Sequence, residues 1–185
     1  MNEGTLYLLI LGALALSLLA QVLVNSRFER YRKVPTASGL TGGEVARRLL
    51  DDAGLRNVRI ERVSGRLTDH YDPQAKVLRL SPETMDGANV AALGVAAHET
   101  GHALQDADAY APLQLRTACV RTAGIGSQAA WPLFLAGLIF NFRPLVLIGI
   151  ALYAAMVVFT LVTLPVELNA SHRALTLLEN GGYLT

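Results

Sequence analysis

The sequence predicts a mainly α-helical, integral membrane fold in which three transmembrane helices carry a small cytoplasmic α+β part. Three observations predict it. The 185 residues suit about one domain, 1–185. Hydrophobic residues make up 52% and charged residues 17% of the chain, with a mean hydropathy of +0.36, which excludes a disordered or fibrous polypeptide. The apolar residues also come in blocks separated by one stretch, 34–121, of ordinary soluble composition. Sixteen Lys and Arg against fifteen Asp and Glu leave a net charge of +1, so there is no basic field to draw nucleic acid, and no nucleic-acid partner is expected. A single cysteine, Cys119, excludes an intrachain disulfide and a multi-cysteine metal site, so any metal must be held by His, Asp or Glu.

The first expected span covers residues 5–25, part of a charge-free run of about 23 residues, long enough at 1.5 Å per residue to cross a hydrocarbon core of roughly 30 Å. A signal peptide competes with this reading, but no basic leader and no small-residue cleavage site accompany the run. It is read as a retained anchor. Arg27, Arg30, Arg32 and Lys33 follow it, and basic flanks stay inside, which assigns the following residues to the cytoplasm. Two further charge-free stretches, 122–142 and 144–166, are broken by Asn141-Phe142-Arg143-Pro144. Proline suits the first turn of a new helix, and a break this short predicts a helical hairpin that returns the chain to its starting side.

In the cytoplasmic segment Thr41-Gly42-Gly43-Glu44 has the form of a capping box, with Gly54 as the expected end of its helix. Residues 58–63 and 76–80 alternate apolar and charged side chains around Asp72-Pro73, which predicts a small antiparallel strand pair. Ser81-Pro82 starts a short helix. A longer, small-residue-rich helix is expected over 89–106.

That helix contains His98-Glu99-Thr100-Gly101-His102. Four-residue spacing brings both imidazoles to one helix face, one turn apart, where they can grip a single ion, with Glu99 beside them. Two histidines could instead be satisfied core residues, but burying two imidazoles and a carboxylate unpartnered costs several kcal/mol. A catalytic zinc needs three protein ligands and an open position. Gln105 stands where a downstream Gly and third His would begin, so the third ligand comes from farther away: Glu167, His172 or His70. Glu167 is the first charge after the third span, and Pro165 predicts a helix restart there. A carboxylate at a lipid boundary needs a partner.

At these residues the chain resembles the YugP-type neutral zinc metallopeptidases of bacterial membranes, which are similar to the HtpX-type membrane peptidases. The resemblance spans nearly the whole chain. It is carried by residues 38–42, 67–73 and 80–82, by Val95-Ala96-Ala97-His98-Glu99 with Gly101-His102-Ala103-Leu104-Gln105, and by Leu164-Pro165-Val166-Glu167 with Asn169-Ala170-Ser171. It implies a zincin-like catalytic part of the gluzincin type, one Zn2+ held by His98, His102 and Glu167, Glu99 as catalytic base, and residues 167–185 as a third-ligand helix. Two departures stand out. HtpX-like enzymes carry Asp four residues beyond the ligand Glu, where this chain has Ser171, so the carboxylate that orients a ligand imidazole must be sought elsewhere. The family also continues with another apolar helix, whereas this chain stops at Thr185.

In a helix beginning near Pro165, Glu167 shares a face with Ala170, Ser171 and Ala174, small side chains that permit close approach to the His98 helix. His172 points about 100° away from Ser171. The expected chemistry is hydrolysis of a peptide bond by a metal-activated water with Glu99 as general base. His70, Tyr71, His172 and Arg173 are candidates for oxyanion or substrate contacts. An exposed edge of the 76–80 strand can take an extended substrate as an added strand, although residues 68–73 also read as a plain hairpin turn. The expected partners are a membrane-associated protein or peptide and the lipid bilayer, at a bacterial inner or plasma membrane, multi-pass, with the catalytic part facing the cytoplasm. Competing readings are a zinc-dependent hydrolase of another bond and an inactive membrane scaffold. Nothing in the sequence indicates an oligomeric state.

Overall fold

The computed structural model describes residues 3–183, and their side chains from residue 12 onward apart from 13, 14, 121 and 122. Local signals set several of its boundaries. Helix α1 runs Glu3–Arg32 and α2 runs Gly42–Asp52. The Thr41 hydroxyl accepts from the Glu44 N–H at 3.3 Å and the Glu44 carboxylate accepts from the Thr41 N–H at 2.8 Å, the reciprocal pair of a capping box. Gly54, at φ +75°, ends the helix in the left-handed conformation that glycine adopts most cheaply. Val45, Leu49 and Leu50 fall on one buried face. Thr41→Ala is expected to lower stability by about 1 kcal/mol, read as a reduced thermal midpoint.

Strands β1 (Arg59–Arg62), β2 (His70–Asp72) and β3 (Val77–Leu80) form a sheet in the order β1-β3-β2. β1 runs parallel to β3, with Ile60 opposite Leu78, while β2 is antiparallel to β3, with Tyr71 opposite Leu78. The expected antiparallel pairing of 58–63 with 76–80 is therefore corrected. The hairpin partner of β3 is β2, joined by a turn in which Asp72 Oδ1 accepts from the N–H groups of Gln74 and Ala75, both at 3.0 Å. β1 adds to the other side of β3, in parallel, because a strand intervenes in the chain.

A short α3 (Pro82–Met85) leads to α4 (Val90–Ala107), capped by Asn89, whose side-chain oxygen accepts from the Ala92 N–H at 3.0 Å. This is the helix expected over 89–106. Ser81 is the N-cap residue of α3, but its side chain makes no capping bond. Its hydroxyl donates to Asp69 at 3.0 Å, and its N–H donates to the same carboxylate at 2.7 Å. The core lies on both sides of α4. Leu50, Val58, Leu78 and Leu80 pack with Ala96 and Ala103, while Val45 and Leu49 pack with Leu93, Ala97, Ala174 and Leu178.

Helices α5 (Ala111–Ile139) and α6 (Arg143–Asn180) form the expected hairpin, turning through Asn141 at φ +49°. Their backbones approach closely at glycines. A Cβ on Gly137 would meet Val146 N at 2.6 Å, and one on Gly149 would meet Ala130 O at 2.9 Å, the small-residue contact that lets apolar helices pair. The expected restart at Pro165 is absent, since α6 continues through it to Asn180.

The expected three transmembrane helices are not found. Among the described residues one helix, α6, is long and apolar enough to cross a membrane. The stretch 122–142 belongs to α5, which is bent by 45° between Val120 and Ala123 and ends at Ile139, so the straight part of that stretch, Ala123–Ile139, is shorter than the charge-free run. The span expected at 5–25 lies in part outside the residues whose side chains are described.

Candidate active site

The site forms where α4, α6 and β2 meet. Gly101 makes that meeting possible: a Cβ there would sit 2.6 Å from the backbone oxygen of Ala170 on α6. Ala170 is fully buried and Ala174 is 5% exposed, so the small residues on that face of α6 do allow the close approach expected of them. The approach carries Glu167 to the two histidines. Its Oε2 lies 3.2 Å from His98 Nε2 and 3.5 Å from His102 Nε2. The imidazoles are 4.9 Å apart between ring centroids, edge to face. One ligand atom from each of His98, His102 and Glu167 lies within 4.8 Å of the others.

The far side of each ring is held as well. Gln105 is fully buried, and its amide nitrogen donates to Val166 O and to Asn169 Oδ1, both at 2.9 Å. Its oxygen therefore faces His102 and accepts from His102 Nδ1–H at 2.9 Å. In the neutral ring a proton on Nδ1 leaves Nε2 as the free nitrogen on the side of Glu167, the atom a metal would take in place of a proton. Ser171 Oγ lies 3.2 Å from His98 Nδ1. The residue noted as departing from the HtpX pattern thus stands where the expected orienting carboxylate would be, and a hydroxyl takes the position. Gln105 entered the sequence reading as a mismatch to another motif and as the last residue of a stretch that carries the family resemblance, with no role assigned, and no local signal marks its two long-range bonds.

Glu99 is 9% exposed, and burial pushes its pKa above the ordinary carboxylate value. The Tyr71 N–H of β2 donates to its Oε2 at 3.0 Å, which ties the edge strand to the site. For His102, burial works against a charge. The hydrogen bond to Glu167, the nearby Glu99 and the bond to Gln105 outweigh it and raise the pKa. Surroundings that favour a proton on that ring also favour a cation between the same donors.

The other expected contacts divide. His70 and Tyr71 line a cleft of about 320 Å³ together with Asp72, His102, Leu113 and Arg116. The Tyr71 hydroxyl donates to Asp106 at 2.6 Å, and burial and that carboxylate raise its pKa, so the phenol is engaged away from the ligand cluster. His70 Nδ1 donates to Thr68 O at 2.8 Å. His172 is exposed and is not among the three clustered donors. Arg173 donates to Asp108 at 2.5 Å and to Asn169 at 2.9 Å, so it braces the outer end of the site. Arg116, which the sequence reading did not single out, reaches Glu167 Oε1 at 3.3 Å; an isolated arginine in α5 carries no sequence signal for this.

Two imidazole nitrogens and one carboxylate oxygen are the donor types a three-ligand catalytic zinc site uses, and such a group could hold a metal; it is a poor match for magnesium or calcium, which prefer oxygen. Comparisons with known proteins agree. A family model described as "Putative neutral zinc metallopeptidase" matches residues 6–185. The chain is 46% identical over 176 residues to a Bacillus subtilis (strain 168) protein named "Putative membrane protease YugP", covering 95% of this chain and 78% of that one. No solved structure matches the chain significantly. With the match running over nearly the whole length and the donor cluster inside it, the chain belongs to this family of neutral zinc metallopeptidases.

Proposed function

We propose that the chain is a membrane-anchored zinc endopeptidase in which His98, His102 and Glu167 hold one zinc ion and Glu99 is the general base. That it is a zinc metallopeptidase follows from its family. The observation that carries the finer reading is the convergence of His98, His102 and Glu167 donor atoms within 4.8 Å, beside a buried carboxylate and an open cleft. When bound, zinc supplies a Lewis acid that polarises the scissile carbonyl and lowers the pKa of water. Glu99, its Oε2 fixed by the Tyr71 N–H, takes the proton from the attacking water as the C–O bond forms. It returns that proton to the amine nitrogen as the C–N bond breaks.

β2 is the sheet edge beside the cleft, because β3 is the central strand, with its Tyr71 N–H directed to Glu99. An extended peptide can add there as a further strand. This moves the substrate edge expected on 76–80 to its neighbour. For anchoring, the support is α6, whose Leu147, Ile150, Tyr153, Val158 and Leu161 are each more than half exposed, a continuous apolar surface suited to lipid. Arg116 and Arg173 lie with the catalytic part, as does the group Arg27, Arg30, Arg32 and Lys33 at the C-terminal end of α1, against Arg143 at the far end of α6. That bias favours a cytoplasmic site.

The test is metal content together with cleavage of an unfolded protein such as casein, on the full chain in detergent. One zinc per chain and chelator-sensitive cleavage are expected. Glu167→Gln is expected to weaken zinc binding at least about tenfold, because a neutral amide is a poor ligand for a divalent ion. Normal zinc binding by that variant, with loss in His70→Ala or His172→Ala, would make the third-ligand assignment wrong. Bound zinc without peptide cleavage would favour a hydrolase of another bond or a scaffold.

A further inference from the structure

The two oxygens of Glu167 have different company. Oε2 faces both imidazoles, at 3.2 and 3.5 Å, whereas Oε1 lies 3.3 Å from a guanidinium nitrogen of Arg116. We propose that Arg116 is a positioning residue that confines Glu167 to a single ligating oxygen, Oε2, and so keeps the fourth coordination position open. The proposal rests on His98, His102 and Glu167 being the ligand set.

A carboxylate can ligate through one oxygen or both. Using both would place a second glutamate oxygen in the space that substrate and water need, since a catalytic zinc keeps three protein ligands and one open position. The positive charge of Arg116, paired with Oε1 at 3.3 Å, competes with that second mode. Arg116 suits the task by its setting. Its side chain is 34% exposed, shielded enough for the pair to persist. Leu113, one turn earlier on α5, is 4% exposed and anchors that face of the helix. Both residues line the cleft beside His102, so the guanidinium approaches Glu167 from the cleft side while Ser171 and Gln105 hold the histidines from behind.

The experiment is titration of the metal-free full chain in detergent with Co2+ alone, reading d–d absorption and affinity, with helix content followed by circular dichroism. In the wild type, the intense absorption of a four-coordinate ion is expected; the weak absorption of a five-coordinate one overturns the proposal without recourse to any variant. Arg116→Gln is expected to bind Co2+ about 10- to 100-fold more weakly, the usual cost of removing a partner of a ligand, and to shift toward the weaker five-coordinate spectrum. Arg116→Lys, which keeps a cationic donor, should return both readouts toward wild type. An Arg116→Gln protein with wild-type affinity and spectrum overturns the positioning role and leaves the ligand set intact. A wild-type chain that takes up no Co2+ overturns the ligand set and the proposal with it.

Discussion

Replacing Glu99 by Gln is expected to leave zinc content at one ion per chain and to cut peptide hydrolysis by about 10²- to 10⁴-fold, the contribution of a positioned general base. The substitution keeps the shape of a side chain that is 9% exposed. The amide oxygen can still accept the Tyr71 N–H that now bonds to Oε2 at 3.0 Å, so the fold and the edge strand stay in place. What is lost is the ability to take a proton. Parallel measurement of zinc content, thermal midpoint and casein cleavage separates these effects. Loss of metal in this variant would assign Glu99 to the ligand set.

Gly101→Ala is expected to be the most damaging single-methyl change in α4. A Cβ at this position meets Ala170 O at 2.6 Å, with the Ala170 Cα and carbonyl carbon at 3.3 Å. These are backbone atoms of a buried helix, so α6 must move away, and overpacking of this kind costs about 1–3 kcal/mol. The same movement withdraws Glu167, which lies one turn from Ala170, so zinc affinity should fall more than about tenfold. Gly94→Ala is the matched control. It lies in the same helix, nothing approaches its Cβ within 4 Å, and replacing a helical glycine there should be neutral or stabilising by up to about 1 kcal/mol. Equal thermal midpoints for the two variants would mean that the α4–α6 contact does not hold the site together.

What the sequence made legible follows from the range of each interaction. His98, Glu99 and His102 sit within two turns of one helix, so their spacing alone places the imidazoles on one face. The capping box at Thr41 and the Asn89-capped helix are equally local. Glu167 is 69 residues from His98; its selection over His70 and His172 came from family resemblance, supported by the small-residue face it shares with Ala170 and Ala174. The sheet misled because β2 has three residues, His70–Asp72, too few for a period to register beside the stronger turn signal of Asp72-Pro73. The second span misled because hydropathy counts apolar length and does not see where α5 bends and ends. The roles of Gln105 and Arg116 were not legible for a different reason: they reach partners 61 and 51 positions away in chain number, Val166 and Glu167 respectively.

The most direct test of the central claim is X-ray absorption at the zinc edge on the purified full chain. Two imidazole nitrogens and carboxylate or water oxygens at about 2.0–2.2 Å are expected, with no sulfur, since the one cysteine, Cys119, lies outside the donor cluster. In His102→Ala the imidazole signal should fall to a single ring or the metal be lost. A scatterer at about 2.3 Å, the zinc–sulfur distance, or an unchanged two-imidazole signal in that variant, would contradict the His98, His102 and Glu167 site.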